Sequence, residues 1–143
     1  MSPTRAVAVE DLGAWLLKGN ADHAGLRERF AVAPRVERWC VQPSYRLELM
    51  RAGQPVLFWG SGSRRRDSAY GIWGAGRLTG PPRRDGDGWE VPLDLTIAPP
   101  EAWIPRSRIR SLLPDIEVLR QPQGANPSYV TVRQYAVIMS LLG

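Results

Sequence analysis

The chain has 143 residues, of which 43% are apolar and 23% are charged, values typical of a globular protein. A core of this size seldom divides into two stable units, so we expect a single domain over residues 1–143 with its core at about 14–142. The apolar runs are far shorter than the roughly 20 residues of a transmembrane helix. The N-terminus lacks a secretory pattern, and a single cysteine forms no internal disulfide, so we expect a cytoplasmic protein.

The net charge of +5 is concentrated in one stretch. Residues 61–84 hold six arginines and one acidic residue, whereas the rest of the chain has 13 basic and 13 acidic residues. Such a local excess is typical of a surface that binds a polyanion, above all a nucleic acid. A solvated loop is the alternative, because 18 of the 19 basic residues are arginine, a bias that GC-rich coding also produces.

The N-terminal part of the chain predicts one strand and one helix. Residues 1–10 have no hydrophobic periodicity and are expected to form a loose N-terminal segment that leads into the domain. Residues 14–18 are a short apolar run that ends in a polar turn, which favours a strand. Asp22 is a suitable N-cap for a helix to about Phe30, and Pro34 ends that helix.

The middle of the chain predicts a hairpin. Residues 39–41 are isolated among polar neighbours, and 44–50 form a short helical or extended piece. Two strand-like segments, 55–61 and 70–78, lie on either side of an arginine loop at 62–67, so they are expected to pair.

Glycine and proline mark irregular points in the next strands. Glycines at 71, 74 and 76 in the second hairpin strand indicate a bend, a bulge or a group passing close to the backbone. Residues 81–88 form a polar turn. Residues 89–97 alternate with period two and predict a strand, in which Pro92 indicates an edge or a bulge.

The C-terminal part predicts two helices and a last strand. Residues 106–112 favour a short helix, and 116–119 favour a strand. Thr131 and Gln134 have the spacing of a capping box that begins a helix to Leu142. Five or six strands with short helices between them predict an α+β fold, a small mixed β-barrel with flanking short helices.

The chain is poor in groups for catalysis. It has one histidine, His23, and one cysteine, Cys40, and no orienting Asn or Asp for such a pair is evident. A structural zinc site needs four Cys or His ligands, so we expect no metal and no cofactor. The carboxylates are scattered, and no pair indicates a glycosidase. We expect a protein that is not an enzyme.

The aromatic residues point to binding. Six tryptophans is a high number for this length. Each one taken alone is better explained as packing, but a small barrel has little interior, so one or two should face a cavity. Trp39 is the best candidate because it lies between polar loops, and an indole face stacks on a nucleobase with about 1–3 kcal/mol.

The order of these segments resembles the EVE domain family over nearly the whole chain. That family opens with a Trp-Leu-Val-Lys-like strand and continues with a Met-x-x-Gly-Asp-x-Val-Leu-Phe-Tyr segment and a glycine-rich Gly-Ile-x-Gly-x-Gly-x-Val strand. The corresponding segments here are Trp15-Leu16-Leu17-Lys18, Met50 to Trp59, Tyr70 to Gly76 and the tail Pro127 to Thr131.

The resemblance implies a PUA-like fold, shared with YTH domains, that binds a modified base of DNA or RNA in an aromatic-lined pocket. It implies that Trp39 forms one wall of the pocket and that the backbone of Cys40 contacts the base edge. The other residues that it places at this pocket are Lys18, Gly19 and Asn20 as a rim, with Ser61 and Gly62 nearby.

This sequence departs from the family pattern at two places. Gln54 stands where the family usually has Asp. The strand that carries a second cage tryptophan in YTH domains reads Val91 to Leu95 here, without an aromatic residue. Three interpretations therefore stay open: a full cage for N6-methyladenine, a pocket for a modified cytosine, and a pocket closed by Leu93 and Asp94. In the last one Asp94 would accept a hydrogen bond from an exocyclic amine of cytosine or adenine.

The sequence thus predicts a monomeric reader of a modified base, in the methylated cytosine or adenine class. The phosphate-binding residues that we expect are Arg64, Arg65, Arg66, Arg83 and Arg84. One alternative is an RNA-processing or nuclease-like enzyme that uses Lys18, His23 and Tyr129. Another is a regulator that binds a small nucleotide-like ligand.

Overall fold

The computed structural model of the chain describes residues 7–23, 25–64, 69–124 and 126–142. They form a mixed α+β fold with short 3-10 turns at Val9–Asp11, Tyr45–Leu49 and Pro100–Ala102. The strands are β1 (Leu12–Asn20), β2 (Arg35–Val41), β3 (Pro55–Ser61), β4 (Gly71–Leu78), β5 (Arg83–Asp85), β6 (Gly88–Ile97), β7 (Ile104–Pro105) and β8 (Ser128–Thr131). The α-helices are α1 (Leu26–Val32), α2 (Arg106–Leu112), α3 (Glu117–Arg120) and α4 (Val132–Leu142).

The strands form one open sheet in the order β2-β6-β4-β3-β1-β8, with β5 beside β6 and β7 beside β4. Strands β1 and β3 are parallel, and the other neighbours are antiparallel. One end of this path is β2, from the first half of the chain, and the other end is β8, from its C-terminal part.

Each face of the sheet has its own apolar core, because side chains alternate along a strand. In β1, Trp15 and Leu17 belong to an inner aromatic-rich cluster, whereas Leu16 belongs to an outer one. Ile109 of α2 and Ile138 of α4 pack into the outer cluster. Helices α2 and α4 therefore cover the outer face, whereas Phe30 of α1 packs into the inner cluster.

Asn126 joins the segment after β2 to strand β1 through bonds of both its side chain and its backbone. Its amide oxygen accepts from the Lys18 N–H at 3.0 Å, and its amide nitrogen donates to the Lys18 carbonyl at 3.0 Å. The Gln42 N–H donates to the Asn126 carbonyl at 2.8 Å, and the Asn126 N–H donates to Gln42 Oε1 at 2.8 Å. The segment after β2 is thereby tied to β1, and the sheet approaches a barrel.

Several predicted elements are confirmed. Strands over 14–18, 55–61, 70–78 and 89–97 are present, and β3 and β4 form the predicted hairpin. The glycines of β4 permit the backbone of β6 to approach closely, since a Cβ on Gly76 would lie 2.0 Å from the Asp94 carbonyl oxygen. The β2–β6 register shifts beside Pro92, as expected for a bulge.

The predicted capping box also forms at the start of α4. The Gln134 side-chain oxygen accepts from the Thr131 N–H at 2.9 Å, and the Thr131 hydroxyl oxygen accepts from the Gln134 N–H at 3.2 Å.

Other predictions are wrong. Residues 117–119 fall in helix α3 with Ile116 at its N-cap, not in a strand, because the N–H groups of Leu119 and Arg120 donate to the Ile116 carbonyl at 3.1 and 3.2 Å. Residues 39–41 belong to the regular strand β2. The polar turn at 81–88 contains the short strand β5. Residues 7–10 are not a loose lead-in, since Val7 is buried and its N–H donates to the Tyr45 hydroxyl at 2.8 Å.

Asp22 does not cap α1. The residue at the N-cap position is Gly25, in a left-handed conformation, and the Asp22 carboxylate binds the segment after β3 instead. None of the helices in the described part of the chain is both long enough and apolar enough to cross a bilayer.

Candidate nucleic-acid interface

A cleft of about 480 Å³ opens between the end of β1 and strand β2, and we call it the Trp39 cleft. It forms because β8 pairs with β1 only as far as Leu16, so that the last residues of β1 face β2 across a gap. The described residues that line it are Lys18, Gly19, Asn20, Arg29, Arg38, Trp39, Cys40, Asp85, Glu90 and Asn126.

Trp39 is half-buried at one wall of the cleft and is held in a fixed orientation. Its indole N–H donates to the Lys18 carbonyl at 3.0 Å, across the gap. Its ring packs edge-on against Phe58, with ring centroids 5.0 Å apart and planes at 86°. A Cβ on Gly19 would lie 2.5 Å from Phe58 Cζ and 3.1 Å from Trp39 Cζ2, so glycine is required for this packing.

The backbone of Cys40 is directed toward the same gap. Backbone groups alternate between the two edges of a strand, so residues two apart point the same way. The Gln42 N–H bonds Asn126 on the β1 side of β2. The N–H and carbonyl of Cys40, two residues earlier, therefore face the Trp39 cleft.

A second and larger concavity of about 880 Å³ adjoins the cleft, and Lys18 and Asn20 line both. Its cationic lining residues are Lys18, Arg64, Arg106 and Arg110, and we call it the basic groove. The buried ring of Trp59 lies at its base, and α3 contributes Val118 and Leu119. Ser61 and Gly62 line the basic groove and not the cleft.

Asp22 fixes one wall of the basic groove. One carboxylate oxygen accepts from the N–H groups of Ser63 at 2.9 Å and Arg64 at 3.2 Å, and the other accepts from the Tyr70 hydroxyl at 2.6 Å. These bonds, that of Tyr70 above all, lower the pKa of Asp22. Arg106 donates to the Gly62 carbonyl at 3.0 Å, which ties α2 to the same segment.

Lys18 lies between the two concavities and is half-buried. Its ammonium donates to the Gly124 carbonyl. Burial lowers the pKa of Lys18, and the nearby Glu117 carboxylate opposes that shift. Glu117 itself forms a two-bond ion pair with Arg46, at 2.7 Å for each bond. The segment between α3 and β8 is thereby fastened at the edge of the cleft.

The structure brings five of the predicted pocket residues together in the Trp39 cleft, namely Trp39, Cys40, Lys18, Gly19 and Asn20. Leu93 and Asp94 line neither concavity, which corrects the placement expected for them. Leu93 is 3% exposed in the inner core, because residues of odd number in β6 point inward. Asp94 is exposed and pairs with Arg35 at 3.2 Å.

The predicted phosphate-binding arginines are placed differently from one another. Arg64 lines the basic groove. Arg83 is exposed beside the cleft and donates to Glu90 at 2.8 Å, and Arg84 lies over the Trp89 ring at 5.5 Å. Arg65 and Arg66 lie outside the described residues.

The residues of the alternative functions lie as follows. Lys18 and His23 line the basic groove, and Tyr129, which is not among its lining residues, lies against Arg46, whose guanidinium is 5.3 Å from the ring centroid. His23 and Cys40 line different concavities. Over the described ranges, no three His, Cys, Asp or Glu side chains are grouped so that they would hold a metal ion.

Sequence reasoning missed several residues of this region, among them Arg106, Arg110 and Glu90. Arg106 and Arg110 are four residues apart in α2 and therefore project on one side of the helix. Their spacing in the sequence could have predicted this shared face. Glu90 is a cleft residue that becomes evident only from the pairing of β6 with β2.

Comparisons with known proteins show the fold of this chain. No protein-family model matches the sequence, and no curated protein is significantly similar to it. The DUF55 domain of human thymocyte nuclear protein 1 is similar in structure, with a TM-score of 0.62, 16% identity and coverage of 90% of this chain and 98% of that one.

Two further solved structures are similar to this chain. A protein from Pseudomonas putida has a TM-score of 0.63 at 20% identity, covering 91% of this chain and 99% of that one. A hypothetical protein from Leishmania major has a TM-score of 0.64 at 18% identity, covering 94% and 97%. The predicted α+β class is confirmed, and the fold is similar to that of the human DUF55 domain, with an open sheet of more strands than the five or six expected.

Proposed function

We propose that this chain is an EVE-type binding module that reads a modified base in DNA or RNA. One base, methylated cytosine or adenine in class, enters the Trp39 cleft, and the flanking phosphates lie in the basic groove. The module binds and does not alter the base. Because a base must leave its stack to enter such a cleft, single-stranded or flipped nucleotides are the ligands.

The observation that carries this proposal is that an aromatic cleft and a cationic groove share Lys18 and Asn20 as a common border. Phosphate contacts supply affinity without sequence information, and contacts to the base supply selectivity. The half-buried Trp39 ring and the Cys40 backbone are suited to the base, since one offers a flat apolar surface and the other a donor and an acceptor. Arg64, Arg106 and Arg110 are suited to phosphates.

The test is a titration of short single-stranded oligonucleotides that differ in one modified base, followed by fluorescence anisotropy. The intact chain should prefer one modified oligonucleotide over its plain counterpart by about tenfold, which corresponds to about 1.4 kcal/mol. Trp39→Ala should abolish that preference and keep the salt-dependent binding. The matched control is Trp89→Ala, which truncates another half-buried tryptophan that lies against Arg84.

Two results would contradict the proposal. One is that no oligonucleotide binds at moderate salt. The other is that Trp39→Ala retains the preference of the intact chain.

A further inference from the structure

The Trp39 cleft contains a buried carboxylate that the proposed function leaves without a role. Glu90 of β6 is only 8% exposed and lines the cleft. Its Oε2 accepts a hydrogen bond from Arg83 Nε at 2.8 Å, and Arg83 is itself exposed. Asp85 is the other acidic residue among the described cleft residues, and it is solvent-exposed.

The position of Glu90 relates it to the edge of β2. In the β2–β6 register Glu90 is directly opposite Cys40, so their side chains are neighbours on one face of the sheet. Cys40 is also the residue whose backbone groups face the gap. A base that contacts that backbone would therefore come beside the Glu90 carboxylate.

The chemistry of a carboxylate limits what it binds. It accepts hydrogen bonds and donates none, and it repels phosphate. Burying it is costly unless its oxygens are bonded. Arg83 supplies one bond to Oε2, and the lone pairs of Oε1 suit a neutral N–H donor. The exocyclic amino groups of cytosine and adenine are donors of this kind, whereas the corresponding oxygens of uracil, thymine and hypoxanthine are acceptors.

We propose that Glu90 accepts a hydrogen bond from the exocyclic amino group of the bound base and thereby makes the cleft selective for amino-bearing bases over their oxo counterparts. This inference rests on the proposed function and names the group that selects within it. It gives Glu90 the role that the sequence suggested for Asp94, whose carboxylate is exposed and paired with Arg35. Arg83 acts as a positioning residue that orients the carboxylate.

The experiment compares single-stranded oligonucleotides identical except at one base, in two pairs: 5-methylcytosine against thymine, and N6-methyladenine against hypoxanthine. For the pair whose modified base binds, the intact chain should prefer the amino-bearing base by about tenfold, as expected for a hydrogen bond to a charged group. Glu90→Gln should bring the two affinities to within about twofold, because an amide also donates to an oxo group.

Two further variants make the result decisive. Asp94→Asn is the matched control, since it neutralises an exposed carboxylate of the same strand, and it should keep the preference of the intact chain. Arg83→Gln leaves the carboxylate in place but removes its orienting bond, and it should also reduce the preference. Thermal melts of all variants verify that each is folded. If Glu90→Gln does not fold, the Arg83→Gln variant, at an exposed site, decides whether the Glu90 carboxylate selects the base.

The outcomes separate this inference from the proposed function. An equal affinity of the intact chain for amino and oxo bases overturns the role of Glu90, even if Trp39 still governs binding. The role of Glu90 is also overturned if the folded Glu90→Gln and Arg83→Gln variants keep the full preference for the amino-bearing base. If no oligonucleotide binds at all, the proposed function fails and the role of Glu90 fails with it.

Discussion

The ion pair between Glu117 and Arg46 fastens the segment that carries Asn126, and replacing Glu117 by glutamine should destabilise the fold strongly. The guanidinium donates to both carboxylate oxygens at 2.7 Å. The Ser128 hydroxyl also donates to Glu117 at 2.7 Å, and Arg46 donates to the Pro127 carbonyl at 3.0 Å. Glu117→Gln keeps the shape of the side chain but removes the charge that balances Arg46.

The size of the effect follows from burial. The two side chains are 15% and 13% exposed, so the pair is largely shielded from water. Removing one partner of a buried pair costs about 3–5 kcal/mol, and the residual exposure places this pair at about 3 kcal/mol. In a domain of this length, each kcal/mol lowers the melting temperature by about 3 °C, so Glu117→Gln should melt about 9 °C below the intact chain.

Thermal denaturation followed by circular dichroism at neutral pH measures this change. The control is Asp94→Asn, which breaks the pair with Arg35, whose side chains are 64% and 56% exposed. An exposed pair contributes about 0–1 kcal/mol, so the control should lose at most about 3 °C. The reasoning is refuted if Glu117→Gln melts as close to the intact chain as the control does.

The same pair makes stability depend on pH. Burial alone would raise the pKa of Glu117, but the hydrogen bonds from Arg46 and Ser128 outweigh it, and the pKa lies below its ordinary value of 4.5. A carboxylate with a lowered pKa stabilises the fold above 4.5 and loses that contribution as the pH falls through its folded value. Unfolding measured between neutral pH and pH values below 4.5 should show this loss in the intact chain and a flatter profile in Glu117→Gln.

Three other substitutions test separate parts of the structure. Gln54→Ala should lower the free energy of unfolding in denaturant by about 1–3 kcal/mol, because it removes the acceptor that lies 2.8 Å from the buried indole nitrogen of Trp15. An unchanged denaturation midpoint would contradict this. Gly60→Ala should also lower the midpoint, since its Cβ would lie 2.2 Å from the buried Trp73 ring. Arg110→Ala, at an exposed groove position, should keep the melting temperature and reduce the salt slope of oligonucleotide binding by about one, whereas an unaltered slope would remove Arg110 from the phosphate path.

Local sequence signals predicted the elements that local chemistry determines. The alternation in β6, the apolar runs of β1 and β3 and the capping box of Thr131 and Gln134 each reflect residues near one another in the chain. Gln54, where the EVE pattern has Asp, forms its own turn contacts by accepting from the Arg51 N–H at 2.7 Å and donating to the Leu49 carbonyl at 3.0 Å.

The errors concern residues whose partners are distant in sequence. Asp22 is an acceptable helix cap, but its bonds to Ser63 and Tyr70 form only when β1 and β3 lie side by side. Leu93 and Asp94 were expected at the cleft by resemblance, and the inward and outward alternation of β6 directs them elsewhere. Glu90 enters the cleft through pairing with β2, which no local pattern specifies.

The central claim, that a base binds beside Trp39, is tested most directly by heteronuclear NMR of the tryptophan indole N–H groups during titration with the preferred oligonucleotide. The Trp39 signal, identified by its loss in Trp39→Phe, should shift with the modified oligonucleotide and much less with the plain one. The Trp15 signal, whose N–H is buried and bonded to Gln54, serves as the internal reference and should stay in place. An oligonucleotide that binds and leaves the Trp39 signal unmoved would contradict the claim.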